Sequence, residues 1–137
     1  MKKLFSICFC AVTLVGCAAG VKDLQPVQLA SLKQPLCVTA DLRKAPEDFS
    51  DAILASLKKR GIKAHFVKFN ELASCESILK ANVRGNRAII ARGSLKVQQD
   101  KQVLGFVTYR RGGDEAERVK EVGLQGQTDL MINELFQ

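Results

Sequence analysis

The order of hydrophobic patterns in this chain predicts an α+β fold: a two-layer sandwich with a mixed sheet of four to five strands and two helices on one face. Three observations lead there. A strand–helix–strand pattern fills residues 36–69, two alternating segments flank a turn over 88–109, and a second helical pattern runs over 115–136.

The elements follow in order. Leu36-Cys37-Val38-Thr39-Ala40 is short and partly β-branched, and a turn-rich segment follows it, which reads as a first strand. Pro46, Glu47 and Asp48 open a helix, with proline early and carboxylates facing the positive end of the dipole. Phe49, Ile53 and Leu57 recur every four residues, with Ala52 and Ser56 alongside, as one apolar stripe. Lys58, Lys59 and Arg60 suit the C-terminal end, and Gly61 suits a left-handed cap. Ile62 to Phe69 reads as a second strand, and the short connections imply parallel neighbours. Ile78 to Arg84 is the candidate third.

Ala88 to Gln98 alternates, with Ile89, Ala91, Gly93, Leu95 and Val97 on one face. Ile90, Arg92, Ser94 and Lys96 share the other, exposed if Ile89 and Leu95 point at the helices. Asp100-Lys101 lies at the hairpin turn, and Val103 to Tyr109 returns. Arg110 to Asp114 is a glycine-containing break before the last helix, whose buried side Val119, Val122, Leu130, Met131 and Leu135 supply. Gly123 and Gly126 each weaken that helix by about 1 kcal/mol relative to alanine, which predicts a kink or a late start.

The first seventeen residues carry an address. Lys2 and Lys3 precede an apolar run from Leu4 to Val15 that has the length of a secretory leader and is too short to span a bilayer. Leu14-Val15-Gly16-Cys17 matches a lipobox, in which the cysteine thiol takes a diacylglyceryl group and the peptide is cut before it. A plain signal peptide with a coincidental cysteine is the competing reading. The expected organisation is a signal peptide over residues 1–16, a lipidated tether over 17–34 and one periplasmic domain over 35–137. The polar tether would reach on the order of 55 Å if extended. Position 18 is Ala and not Asp, so in a Gram-negative cell the expected location is the periplasmic face of the outer membrane.

Cleavage would remove Cys8 and Cys10 and commit Cys17 to lipid, leaving Cys37 and Cys75 as a pair in an oxidising compartment; a disulfide is expected. It would also remove two lysines and no acids, lowering the net charge from +7 to +5. That charge suits anionic headgroups or lipopolysaccharide phosphates, or simply a solvated surface, and the compartment argues against nucleic acid. His65 is the only histidine and no Cys/His spacing accompanies it, so neither a metal site nor a catalytic histidine is expected. Asp41, Glu47, Asp48 and Asp51 read as loop and helix-start charges, and Arg110-Arg111-Gly112-Gly113 as a turn in preference to a phosphate cradle.

The placement of Cys17, Cys37, Cys75, Ala81-Asn82, the hairpin strands, Gly112-Gly113 and Leu135-Phe136 resembles the small lipoproteins of Gram-negative bacteria grouped as "Sbal". The resemblance implies the location, the disulfide and the fold, and implies no activity. Those proteins carry tryptophans just after the Ala-Asn pair, where this chain has Val83 and Gly85 and no tryptophan anywhere. The expectation for function is a non-catalytic envelope lipoprotein, without cofactor, that docks a protein partner through the uncovered sheet face or an edge strand. The alternative is capture of lipopolysaccharide or another anionic glycolipid by Arg84, Arg87, Arg92 and Lys96.

Overall fold

The computed structural model describes residues 19–137; the expected signal peptide and Cys17 lie outside the described residues. The strands are β1 (Val21–Gln25), β2 (Leu36–Asp41), β3 (Ala64–Phe66), β4 (Ser77–Gly85), β5 (Ile90–Gln99) and β6 (Gln102–Arg110). They form one mixed sheet in the order β1-β6-β5-β4-β2-β3, with β2 parallel to β3 and β4 and the remaining pairs antiparallel. The helices α1 (Phe49–Lys59) and α2 (Asp114–Leu135) lie side by side on one face. No helix among the described residues is long and apolar enough to cross a membrane.

Helix α1 forms as its stripe dictates. Phe49, Ile53 and Leu57 are fully buried against Leu36 and Val38 of β2 and Leu79 of β4, each worth roughly 1.5–3 kcal/mol relative to exposure. The helix ends in a Schellman motif: the Gly61 N–H donates to Lys58 O (2.9 Å) and the Ile62 N–H to Leu57 O (3.0 Å), with Gly61 at φ 73°. Buried Ile62 serves that cap and not the strand, so β3 is shorter than the expected 62–69. After Val67 the chain turns into a 3-10 helix, Phe69–Ser74. Cys37 and Cys75 are joined by a disulfide, and closing that loop contributes about 4 kcal/mol in the chain-entropy model.

Three expectations need correction. The sheet has six strands, because the segment read as a tether over 17–34 is, from Val21 onward, part of the domain. β1 pairs with β6, Val27 exchanges backbone hydrogen bonds with Leu135 and Gln137, and Val27 and Leu32 are buried. A register shift between Val21 and Leu24 puts its inward residues three apart, which hides the strand's period of two. In β5 the inward isoleucine is Ile90 and not Ile89: a bulge lets Gly85 face Ile90 while Arg84 faces Arg92. Beyond it Gly93, Leu95 and Val97 point inward and Arg92, Ser94 and Lys96 outward, as the alternation predicts. Val122, expected on the buried side of α2, is exposed, because the helix breaks beside it at Gly123, whose φ of 63° only glycine adopts readily; the kink itself is as predicted.

A buried polar chain sets that bulge. The Gln127 carboxamide, wholly buried, accepts from the Ile90 N–H (2.8 Å) and donates to Ile90 O (2.8 Å), standing in for a strand partner. Its Nε2 also donates to Tyr109 Oη (2.8 Å), and that hydroxyl donates to Glu115 Oε1 (2.7 Å). Burial pushes the Tyr109 phenol up to about 12. Burial alone would raise Glu115 too, but the Arg118 guanidinium and Tyr109 hydroxyl outweigh it and keep the carboxyl below its ordinary range. Gln127→Leu, close in volume, would leave the buried Ile90 N–H and C=O without partners and take one bond from Tyr109 Oη, which keeps Glu115. Urea unfolding is expected to show a loss of about 2–3 kcal/mol, whereas a loss below about 0.5 kcal/mol would contradict the assignment.

Candidate functional site

The outer face of the sheet carries no α-helix; the 3-10 helix Phe69–Ser74 and the disulfide lie over its Ile78–Gln98 end, and beyond them cross-strand register arranges its side chains in rows. Arg84 of β4 lies opposite Arg92 of β5, which lies opposite Arg110 of β6. The next row is Asn82, Ser94 and Thr108, and the third is Lys80, Lys96 and Phe106. The inward residues between the first two rows are Val83, Gly93 and Tyr109. The arginine row, the polar row and Lys22 of β1 line an open groove of ≈ 430 Å³. It has an arginine rim, a floor of short polar side chains and no acid in its lining.

The electrostatics of this face are one-sided. Neighbouring strands lie about 4.8 Å apart, so like charges directly opposite each other repel. Among the described residues no carboxylate is within ion-pair distance of Lys22, Lys80, Arg84, Arg92, Lys96 or Arg110. Two carboxylates flank the polar row. Asp41 is held by Arg43, with Nε to Oδ1 at 3.0 Å and Nη2 to Oδ2 at 2.7 Å. Those bonds hold its carboxyl down at about 2, with a smaller pull from Arg84. Asp23 Oδ2 accepts from Thr108 Oγ1 at 3.1 Å. The cations of the groove are therefore left for an external anion. Guanidinium forks match phosphate and carboxylate oxygens two at a time, and the hydroxyls and amide below offer further hydrogen bonds.

Of the sequence-derived anion residues, Arg84, Arg92 and Lys96 share this face. Arg87 does not: it sits in the β4–β5 loop with its Nε 3.7 Å from Glu47. Lys22, Lys80 and Arg110 join the face only through register, and no linear motif marks them. Arg110-Arg111 leaves β6 as the expected turn, and the first turn of α2 carries Asp114, Glu115 and Glu117. His65 lies opposite Cys37 at the β3 edge. Among the described residues no group of three or more His, Cys, Asp or Glu is placed to hold a metal ion. The exposed large apolar residues Leu42, Phe69, Val103 and Val122 sit on separate segments, so the bare face is distinguished by charge.

An arginine row with no ion-paired carboxylate among the described residues costs stability. Arg92→Gln, at the centre of the row, is expected to raise the melting temperature by about 2 °C in low salt. The gain should vanish in 0.5 M NaCl, where screening removes the repulsion. A lower melting temperature at low salt would show that Arg92 has a stabilising partner.

No protein-family model matches the sequence, and no curated protein matches it. Comparison with solved structures finds PelC. The dodecamer of a PelC point variant from Paraburkholderia phytofirmans aligns with a TM-score of 0.51 at 10% identity, covering 80% of this chain and 96% of the PelC chain. A PelC dodecamer from the same organism aligns at 0.46 with 11% identity, over 74% of this chain and 86% of that one. At such identity the first of these is a likeness of fold: the chain has the architecture of a PelC subunit.

Proposed function

We propose that this protein is a non-catalytic docking lipoprotein of the cell envelope, anchored through Cys17 at the periplasmic face of the outer membrane. The observation that carries the docking reading is the uncovered arginine end of the outer face, whose three opposed arginines have no carboxylate within ion-pair distance among the described residues. Like charges opposed across strands oppose folding, and an anionic partner on that face would relieve the repulsion. The lipobox and the resemblance to the "Sbal" lipoproteins support the anchor. The dodecamers formed by PelC support a protein partner or further copies of the chain, since that fold assembles there through its surface. The second reading, an anionic glycolipid in the groove, is favoured by the arginine rim over a floor of Asn82, Ser94 and Thr108.

The test uses intact cells. A photo-crosslinking residue at Ser94, on the outer face, is expected to give a discrete adduct, while the same residue at exposed Glu121 on α2 gives none. A protein adduct supports the partner reading, and a glycolipid ladder supports the second. Equal labelling at both positions, or none, would contradict docking on this face. Intact mass of the same material is expected to begin at Cys17 and to carry acyl chains; an unmodified start would remove the anchor.

A further inference from the structure

The chain enters the sheet at the end that carries the arginine row. Gly20 O accepts from the Arg110 N–H at 2.8 Å, so the last residue before β1 sits beside the arginine row. The loops at that end add Lys44 and Arg111, with Arg87 there beside Glu47: Gly85 N bonds Lys44 O and Arg111 N bonds Ala91 O. With β1 in the sheet, the leash is short. Cys17 precedes Gly20 by three positions, so even extended chain separates them by about 11 Å at most. That is no more than the depth of a headgroup layer added to one side chain's reach. A long tether would have left the head free to turn.

We infer that the arginine row and its neighbouring loops rest on the anionic phosphates of the very membrane that holds the anchor, so that charge orients the head on its lipid. This rests on the Cys17 anchor proposed above for its geometry, and names lipid headgroup phosphate as the anion taken by the arginine end of the groove. The lipid chains and the basic end are two membrane signals of different kinds, and a cationic cluster beside an anchor adds about 1 kcal/mol per Lys or Arg at an anionic surface. The Lys80–Lys96 row and the β3 edge then face away, free for a partner.

The test omits the acyl chains, so it reads this contact independently of the anchor. The chain from residue 18, which keeps every element of the described core, is sedimented with phosphatidylcholine vesicles with or without 30 mol% phosphatidylglycerol. Binding is expected only to the anionic vesicles, falling with salt. Arg84→Gln, Arg92→Gln and Arg110→Gln together should weaken it about 100-fold. Removing as many charges from the helices, as Lys58→Gln, Lys59→Gln and Lys120→Gln, should change it less than about threefold. Millimolar inorganic phosphate at constant ionic strength should not displace the protein. Binding without anionic lipid, equal loss in the two triple variants, or displacement by free phosphate would each overturn the inference. The acylation and crosslinking results would stand in any of those cases.

Discussion

Gln127 exchanges two hydrogen bonds with the backbone of Ile90, at the point where β5 would otherwise lose its partner, and passes a third to Tyr109. Those bonds hold the bulge that turns Ile90 inward and leaves Arg92 outward. Through Tyr109 and Glu115 the same chain of bonds ties the start of α2 to β6. An unpaired amide at this depth would cost a few kcal/mol, so the network tolerates no slip of strand against helix. The phase of the outer face is thus set from the inner one.

From that phase the surface follows. Both α-helices cover the inner face, and the 3-10 helix held by the Cys37–Cys75 disulfide covers only the Ile78–Gln98 end of the other, so Arg84, Arg92 and Arg110 meet solvent or a ligand. Register then gathers residues that are far apart in sequence: Arg84, Arg92 and Arg110 come from three strands and meet in one line. Internal stability does not ask for that line, since like charges across neighbouring strands oppose folding. Its position matters as much as its charge. The row borders Gly20, where the chain arrives from Cys17, while the disulfide and the β3 edge lie on the far side of the sheet.

Much of the fold was legible in the sequence, and the failures share a cause. Helix α1 was readable because Phe49, Ile53 and Leu57 repeat with the period of its turn and Gly61 marks its end. The hairpin was readable from alternation, and its turn places Asp100 and Lys101 at positive φ as a two-residue loop requires. The kink at Gly123 and the Cys37–Cys75 pair were also readable, one from propensity and the other from compartment. Strand β1 was not, because its bulge breaks the alternation that identifies a strand and its polar composition reads as linker. The misassigned isoleucine has the same origin: the bulge is held by Gln127, 37 positions away. Arg92 and Lys96 were found from charge alternation along β5 and Arg84 from its own segment, but Lys22, Lys80 and Arg110 belong to the basic face only through pairing that a single strand's pattern does not encode.

The bulge-set phase of β5 builds an outward surface for an anionic lipid layer at the end where the chain enters. Amide chemical shifts of the isotope-labelled domain, followed as phosphatidylglycerol-containing bicelles are added, test this most directly. The account requires the largest changes at residues 82–84, 92–94 and 108–110, with the outer faces of α1 and α2 unchanged. Changes centred on the helices, or spread evenly over all basic residues, would contradict it.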